Sequence, residues 1–286
     1  MGRGFRFQAF VGCAVAVGLF ATAFGRQGYS PQYSGNGKTP PPTPKQEEPK
    51  KEPAKPAVKV QDPVKQVDPD ATDPTTVTGI TFVSKPGQVF VLARDIAKAI
   101  GQPLALDPKT EILMIGEVPF LSFDRTYTGD IILPVKDLVH LNADIVKASG
   151  KITLVTAETE VPIVIGRKRV EVNKAEQRLR GYQGDIVVID TNISTGAPGH
   201  NTPNGTFKTR TRERMHYSRL YNNSPMPWSI QFNGDIFFHG YTSVPPYPAS
   251  HGCVRIPLTK KNPAKYLWHW VDIGVEVKIF GTYSWR

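Results

Sequence analysis

At roughly 100–200 residues per domain, a chain of 286 residues has room for one to three domains and a sizeable core. Its 40% hydrophobic and 21% charged residues exclude a wholly disordered chain, while 26 prolines point to a stretch that does not fold. The net charge of +10 suggests an anionic partner, and two cysteines, Cys13 and Cys253, exclude both a disulfide scaffold and a four-thiolate metal site.

Residues 1–25 open with Arg3 and Arg6 and continue as an apolar run to small residues around Ala21 and Ala23. This is the pattern of a secretory signal peptide; the same run, at the short limit for a span, also serves as an uncleaved membrane anchor. Either reading exports the chain, to the periplasm or the cell wall. Cys13 lies inside the apolar run rather than after it, which argues against a lipoprotein site. Removal of the signal leaves Cys253 as a lone thiol in an exported protein: intermolecular, reactive, or buried as a small hydrophobe.

Residues 26–76 are rich in Pro, Lys and Glu, with seven Lys and seven acidic residues between Pro31 and Thr76. The segment has no apolar periodicity and is expected to be a disordered linker, spanning on the order of 100 Å as an extended tether.

Residues 77–158 read as a small α+β module with a weak internal repeat. The stretch from Val91 to Gly101 aligns with that from Leu133 to Ala143. Each copy predicts a strand, an amphipathic helix and a second strand, with Glu111 to Ile115 a further strand between them. The pattern resembles the module found at the N-terminus of some copper amine oxidases, and implies a catalytically silent stalk or wall-binding unit. His140 is a helix-face residue rather than a metal ligand.

Residues 164–280 form a third block. Residues 164–286 hold 17 Lys and Arg against 8 Asp and Glu, whereas residues 77–163 hold 8 against 10, so the positive charge is concentrated in this block. No zinc-finger, RNP or helix-turn-helix pattern accompanies it, and with export this argues against nucleic acid and for an anionic cell-envelope polymer, or for a merely solvated surface. Strands are expected around Arg169 to Val172, Asp185 to Asp190 and Val275 to Phe280, and a helix near Ala264 to Trp270. Asn233-Gly234 between two apolar runs predicts a type I′ hairpin that pairs Phe232 with Asp235, Ile230 with Phe237 and Trp228 with His239. All of Trp228, Ile230, Phe237 and His239 would then share one face.

The chemistry-bearing residues are His239-Gly240 and the run Ser250-His251-Gly252-Cys253-Val254-Arg255. A thiol attacks as thiolate, and an imidazole is the usual means of obtaining one near neutral pH. The Pro-rich loop between them can fold back to join His239 to Cys253. Backbone N–H groups of Gly252 and Cys253 offer an oxyanion hole, and an extended Cys253 to Ile256 turns Cys253 and Arg255 to the site and Val254 and Ile256 to the core. Zinc held by His239, His251 and Cys253 lacks a fourth ligand and the usual spacing. An inert thiol remains the alternative from chemistry alone. Arg210, Arg212, Arg214 and Arg219 either line a groove or sit on a solvated face.

These residues, with Ser194-Thr195-Gly196, the stretch from Thr202 to Phe207 and that from Gly274 to Val277, resemble the L,D-transpeptidase catalytic domain, the YkuD family, over about 115 residues. The resemblance implies a multidomain chain: a mainly-β catalytic domain, a β-sandwich with one or two short helices, carried by the α+β module and the linker. It implies Cys253 as nucleophile, His239 as proton donor and acceptor, and Gly240 as the residue whose carbonyl orients the imidazole. Ser250, His251, Gly252 and Arg255 take supporting positions; Trp228 is expected against substrate, and Tyr241 and Tyr247 either contact the stem peptide or merely pack the loop. The implied reaction is acyl transfer on peptidoglycan stem peptides, with release of D-alanine, formation of 3→3 cross-links and sensitivity to carbapenems. It needs no metal or organic cofactor. The loop between His239 and Cys253 is short and Pro-rich for the family, and Asn262-Pro263 replaces a common acidic position. Water as acceptor gives a carboxypeptidase or cross-link hydrolase; a non-catalytic wall-binding protein is the third alternative.

Overall fold

The computed structural model describes residues 76–285 apart from 149 and 260. The expected signal or anchor and all but the last residue of the expected linker lie outside the described residues. What is described is mainly β with three short helices, and none of these is long and apolar enough to cross a membrane.

The first part runs β1 (Val77–Thr81), β2 (Val89–Leu92), α1 (Ala93–Ala99), β3 (Leu104–Leu106), β4 (Leu113–Ile115), β5 (Val118–Phe120), β6 (Asp124–Arg125), β7 (Ile131–Pro134), a 3-10 helix (Val135–Leu141), β8 (Asp144–Ala148), β9 (Lys151–Val155) and β10 (Glu160–Ile165). The internal repeat is visible: β2 with α1 and β7 with the 3-10 helix are equivalent, and β2 pairs antiparallel with β7. The copies differ in helix type. Ala93, Ala97 and Ala99 favour an α-helix, whereas Val135 and Val139 are stiff at χ1 and follow a proline. Seven strands form one sheet in the order β6-β7-β2-β1-β10-β9-β8, and β3, β4 and β5 form a second. β10 pairs with β1 and β9, so this sheet extends to Ile165, past the boundary expected at residue 158.

The second part runs β11 (Lys168–Asn173), β12 (Arg178–Gln183), β13 (Ile186–Asn192), β14 (Gly205–Lys208), β15 (Arg212–Ser218), β16 (Ser224–Asn233), β17 (Ile236–Tyr241), β18 (Val254–Pro257), α2 (Pro263–Trp270) and β19 (Glu276–Phe280). One sheet has the order β13-β12-β11-β19-β14 and the other β15-β16-β17-β18. Both contribute to a single apolar cluster, including Val170, Val277, Ile230, Phe238, Val254 and Ile256, which α2 completes with Ala264, Leu267 and Trp270. The Asn262 side chain caps α2 by accepting from the Lys265 N–H, and Pro263 takes the first helical turn, where no N–H is needed.

The β16–β17 hairpin corrects the expected register. Asn233 pairs with Ile236, so Gly234 and Asp235 are the loop residues, and Phe232 is bulged out between Gln231↔Phe237 and Asn233↔Ile236. Only Gly234 of the two has positive φ (47°), the requirement of a type II′ rather than a type I′ turn. Ile230 therefore pairs with Phe238, and both face the core. A one-residue slip exchanges the faces of a strand. Accordingly Phe237 and His239 lie on the face opposite Ile230.

The first part has an apolar cluster of its own, with Val91, Ile96, Leu133 and Leu138, and also contributes to that of the second. Ile80, Phe90, Leu92 and Ile132 belong to the same apolar cluster as α2, and the Tyr266 ring meets Phe82 and Tyr127 at 5.9 and 5.6 Å between centroids. Backbone bonds join Ser84 N to His269 O and Tyr127 N to Val188 O, and the Gln183 amide bridges Thr81. Tyr266→Ala removes the ring both sides pack on. It is expected to cost about 3 kcal/mol, and to convert one calorimetric unfolding transition into two; a single unshifted transition would show that the parts unfold independently of this contact.

Candidate active site

Parallel pairing of β17 with β18 sets Phe238 beside Val254, His239 beside Arg255, and Gly240 beside Ile256. Phe238, Val254 and Ile256 are buried in the core, so alternation turns Phe237, His239, Tyr241 and Arg255 to the other face. There they line a cleft of about 610 Å³ together with Cys253, Ser250, His251, Glu213, His216 and Tyr221. Gly240 lies where a Cβ would run into the Leu258 side chain and come within 3.3 Å of Ala264 Cβ, so glycine lets β17 pack closely on the residues around α2.

His239 is buried, and its Nδ1 lies 3.0 Å from the Gly240 carbonyl oxygen. A carbonyl only accepts, so Nδ1 carries the proton and Nε2 keeps a free lone pair. Burial is the main cause that pushes the His239 pKa down to about 4, with Arg255 and His216 adding to it against the Gly240 carbonyl. Cys253 is half-buried; its Sγ contacts the Asp235 carbonyl oxygen at 3.8 Å. Burial pushes this thiol up, and the Phe237 backbone and Arg255 only partly oppose it. The resting pair is thus thiol and neutral imidazole, not the acidified sulfur expected from the sequence, because desolvation outweighs the nearby charge.

The segment carrying Cys253 is braced from three sides. Ser194 exchanges backbone bonds with Arg255, the Thr195 carbonyl accepts from Ala249 and Ser250, and Ala197 N donates to Ser250 O. The Thr202 hydroxyl donates to Gly252 O at 2.7 Å and accepts from Gly196 N at 2.9 Å. Buried Gln177 holds Thr195 through both its backbone N–H and its hydroxyl. Ser250 Oγ donates to Cys253 O and accepts from Gly252 N at 3.1 Å. The Gly252 N–H, expected to join an oxyanion hole, is therefore engaged. Gly252 itself has φ +115°, a conformation that side chains rarely adopt.

The remaining expected residues divide. Tyr241 lines the cleft, edge-on to His239 and under the Arg255 guanidinium at 4.2 Å. His251 is exposed and packs between His200 and Tyr221 at 4.8 and 4.5 Å. Trp228 and Tyr247 do not line the cleft. Trp228 packs against Trp268 and His269 of α2, and exposed Tyr247 packs against Trp285. Of the four arginines, Arg219 lines the cleft, while Arg212 and Arg214 stack on Trp268 and Trp228. Sequence reading missed Glu213, His216 and Tyr221. His216 stacks on Phe237 at 4.8 Å and contacts Glu213 at 3.1 Å. Strict alternation would set Glu213 and His216, three residues apart on β15, on opposite faces, so it gave no signal for the two together; the ladder pairing lapses at Arg214 between them. Among the described residues no group of three or more His, Cys, Asp or Glu side chains is placed to hold a metal ion.

Residues 167–279 match the family model of the L,D-transpeptidase catalytic domain, YkuD. This segment is similar to L,D-transpeptidase catalytic domains. Similar solved structures include an L,D-transpeptidase from Stackebrandtia nassauensis, 28% identical over 41% of this chain and 57% of that one, with a TM-score of 0.38. Another, from Xylanimonas cellulosilytica, is 31% identical over 40% of this chain and 61% of that one, with a TM-score of 0.36. An L,D-transpeptidase from Mycobacterium smegmatis is 14% identical over 72% of this chain and 99% of that one, with a TM-score of 0.37. The chain thus spans less than two thirds of the first two relatives. No curated protein matches.

Thr202→Val keeps the shape of the side chain and removes its hydroxyl. It leaves Gly196 N and Gly252 O without their buried partner and is expected to lower stability by about 1–3 kcal/mol, read by urea unfolding. His239 makes a second expectation. Its pKa is about 4 folded against 6.5 for the free group, so only the unfolded chain takes up a proton between those values. Its contribution is complete above pH 6.5 and is lost as pH falls towards 4, about 3 kcal/mol in all. His239→Gln should remove that part of the acid slope; identical slopes in the two proteins would refute the buried neutral imidazole.

Proposed function

We propose that the L,D-transpeptidase-type domain transfers an acyl group from a peptidoglycan stem tetrapeptide through Cys253, forming 3→3 cross-links outside the cytoplasm. The observation that carries this reading is the half-buried Cys253 thiol in one cleft with a buried imidazole whose Nδ1 proton is committed to the Gly240 carbonyl. That commitment aims the basic Nε2 rather than an N–H at the reaction.

The sulfur leaves the Asp235 carbonyl by rotation about χ1 and passes its proton to His239 Nε2 as it attacks the amide carbonyl of the diamino acid at stem position 3. Proton transfer within the attack suits a neutral pair, since neither group must be charged beforehand. Negative charge develops on the carbonyl oxygen near the Cys253 N–H, the Gly252 N–H being held by Ser250. The C–N bond breaks, and D-alanine leaves with the proton from His239. A thioester to Cys253 remains. An amine of a second stem attacks it, gives its proton to the imidazole, and the C–S bond breaks as the sulfur is reprotonated. Water in place of the amine gives a carboxypeptidase or hydrolase by the same steps. Arg255, fixed over Tyr241, is placed to bind a substrate carboxylate. No metal or organic cofactor enters these steps. The exported location, the Pro-rich tether and the stalk-like role of residues 77–158 belong to the same reading.

Incubation with a disaccharide-tetrapeptide should release D-alanine and yield a cross-linked dimer by mass spectrometry; tripeptide monomer alone identifies water as acceptor. Exposure to a carbapenem should add one drug mass, mapped by digestion to Cys253. The adduct should persist in Cys13→Ala and vanish in Cys253→Ala. An unmodified folded protein that also leaves the tetrapeptide intact overturns the reading.

A further inference from the structure

The sheet face turned away from the cleft carries a second constellation. Arg212 and Arg214 alternate on β15 with Glu213, which lines the cleft. The Arg212 guanidinium lies 4.4 Å over the Trp268 ring and donates to the Trp268 carbonyl oxygen. The Arg214 guanidinium and the Lys265 ammonium lie 5.5 and 5.7 Å from the Trp228 ring. Trp228, Trp268 and His269 pack on one another with centroids 5.2 to 5.9 Å apart. Three cations are thus fixed against one half-buried aromatic cluster.

Their electrostatics are one-sided. Among the described residues Arg212, Arg214 and Lys265 enter no ion pair. The one carboxylate that acts on Arg212, Asp272, is itself bonded to Lys168 at 2.7 Å. After burial, the groups that lower the pKa of His269 are Lys265, Arg212 and Arg214. Beneath the patch Arg212 Nε and Trp268 Nε1 are buried donors without an acceptor. Like charges gathered without a counter-charge cost energy that cation–π contact only partly offsets. Trp228 adds a further cost, since its φ of +58° is an outlier for a bulky residue. The strain places an indole beneath two cations, away from the cleft.

We propose that this face is a docking surface for an acidic polysaccharide, a sugar chain bearing carboxylates. The free positive charge calls for a polyanion, and the guanidinium forks fit carboxylates. The half-buried Trp228 and Trp268 indoles offer apolar surface to sugar C–H groups, which a bare phosphate chain lacks. None of these residues lines the cleft, so the surface stands independently of the acyl-transfer reading.

The test measures binding of the full-length protein to polygalacturonate, with dextran, inorganic polyphosphate and phosphatidylcholine/phosphatidylglycerol vesicles as comparators. Polygalacturonate should bind in a salt-sensitive way and dextran should not. Removing the exposed charges in the double variant R214Q/K265Q should weaken polygalacturonate about tenfold, while the exposed pair K109Q/K147Q, with the same change in net charge, should leave it within about twofold. Equal losses in the two variants would mean net charge alone is at work and overturn the proposal. So would a larger loss by R214Q/K265Q on polyphosphate or on vesicles than on polygalacturonate, because the occupant would then be a phosphate polymer or a membrane surface. Adduct formation at Cys253 should be the same in R214Q/K265Q as in the parent, which separates failure here from failure of the acyl-transfer reading.

Discussion

Everything in the cleft depends on the parallel seam between β17 and β18. Phe238, Val254 and Ile256 enter the core from this seam, and their burial fixes the rotation of both strands about their own axes. His239 and Arg255 have no freedom to choose a face once these three have chosen theirs. The glycine after the histidine is part of the same constraint. Gly240 lets β17 lie against Leu258 and Ala264, and that contact holds the carbonyl that orients the imidazole. Core packing and histidine tautomer are two consequences of one strand position.

The same burial sets the protonation states. A shallow site would have favoured a charged pair, with the sulfur ionised by a protonated imidazole. Here the imidazole is deep enough that desolvation dominates over every neighbouring group, and the thiol is shifted in the opposite direction for the same reason. On the proposed acyl-transfer reading, holding both groups neutral keeps the sulfur unreactive until a substrate carbonyl is present to receive it. The Asp235 carbonyl, at the hairpin turn, gives the resting thiol a place to point meanwhile. The type II′ turn at Gly234-Asp235 therefore matters beyond the hairpin itself.

Much of this was legible in the sequence, and the exceptions have physical causes. The helix at α2, β11 and β19 follow from pattern and capping residues. The face shared by Cys253 and Arg255 follows from alternation within four residues. The hairpin register did not, because Phe232 is inserted as a bulge and the turn places Asn233 in a pair instead of in the loop. Bulges are decided by the packing of both faces at once, which a local dipeptide signal does not contain. Gln177 escaped notice for a similar reason. It lies far from the signature, with φ +49°, and its side chain engages the backbone N–H and the hydroxyl of Thr195. Trp228 was placed on the catalytic face by the slipped register, and its actual backbone conformation is one that no propensity favours.

The module ahead of the catalytic domain shows the limit of composition as a guide to domain boundaries. Its low net charge and internal repeat set it apart from the basic block that follows, and this suggested a distinct stalk or wall-binding unit. One apolar cluster lies wholly within the module, but the other crosses that division. Ile80 and Phe90 pack into the same core as Trp270, and Gln183 binds Thr81 and the Trp270 indole together. Charge patterning reports on surfaces, and two segments with different surfaces can still share an interior. The consequence reaches the second face of β15 and β16. His269, whose carbonyl accepts from Ser84, is also a member of the cationic aromatic cluster. The module thus buttresses the helix that displays Trp268 and Lys265, and the rigidity of that display is a property of the two parts joined.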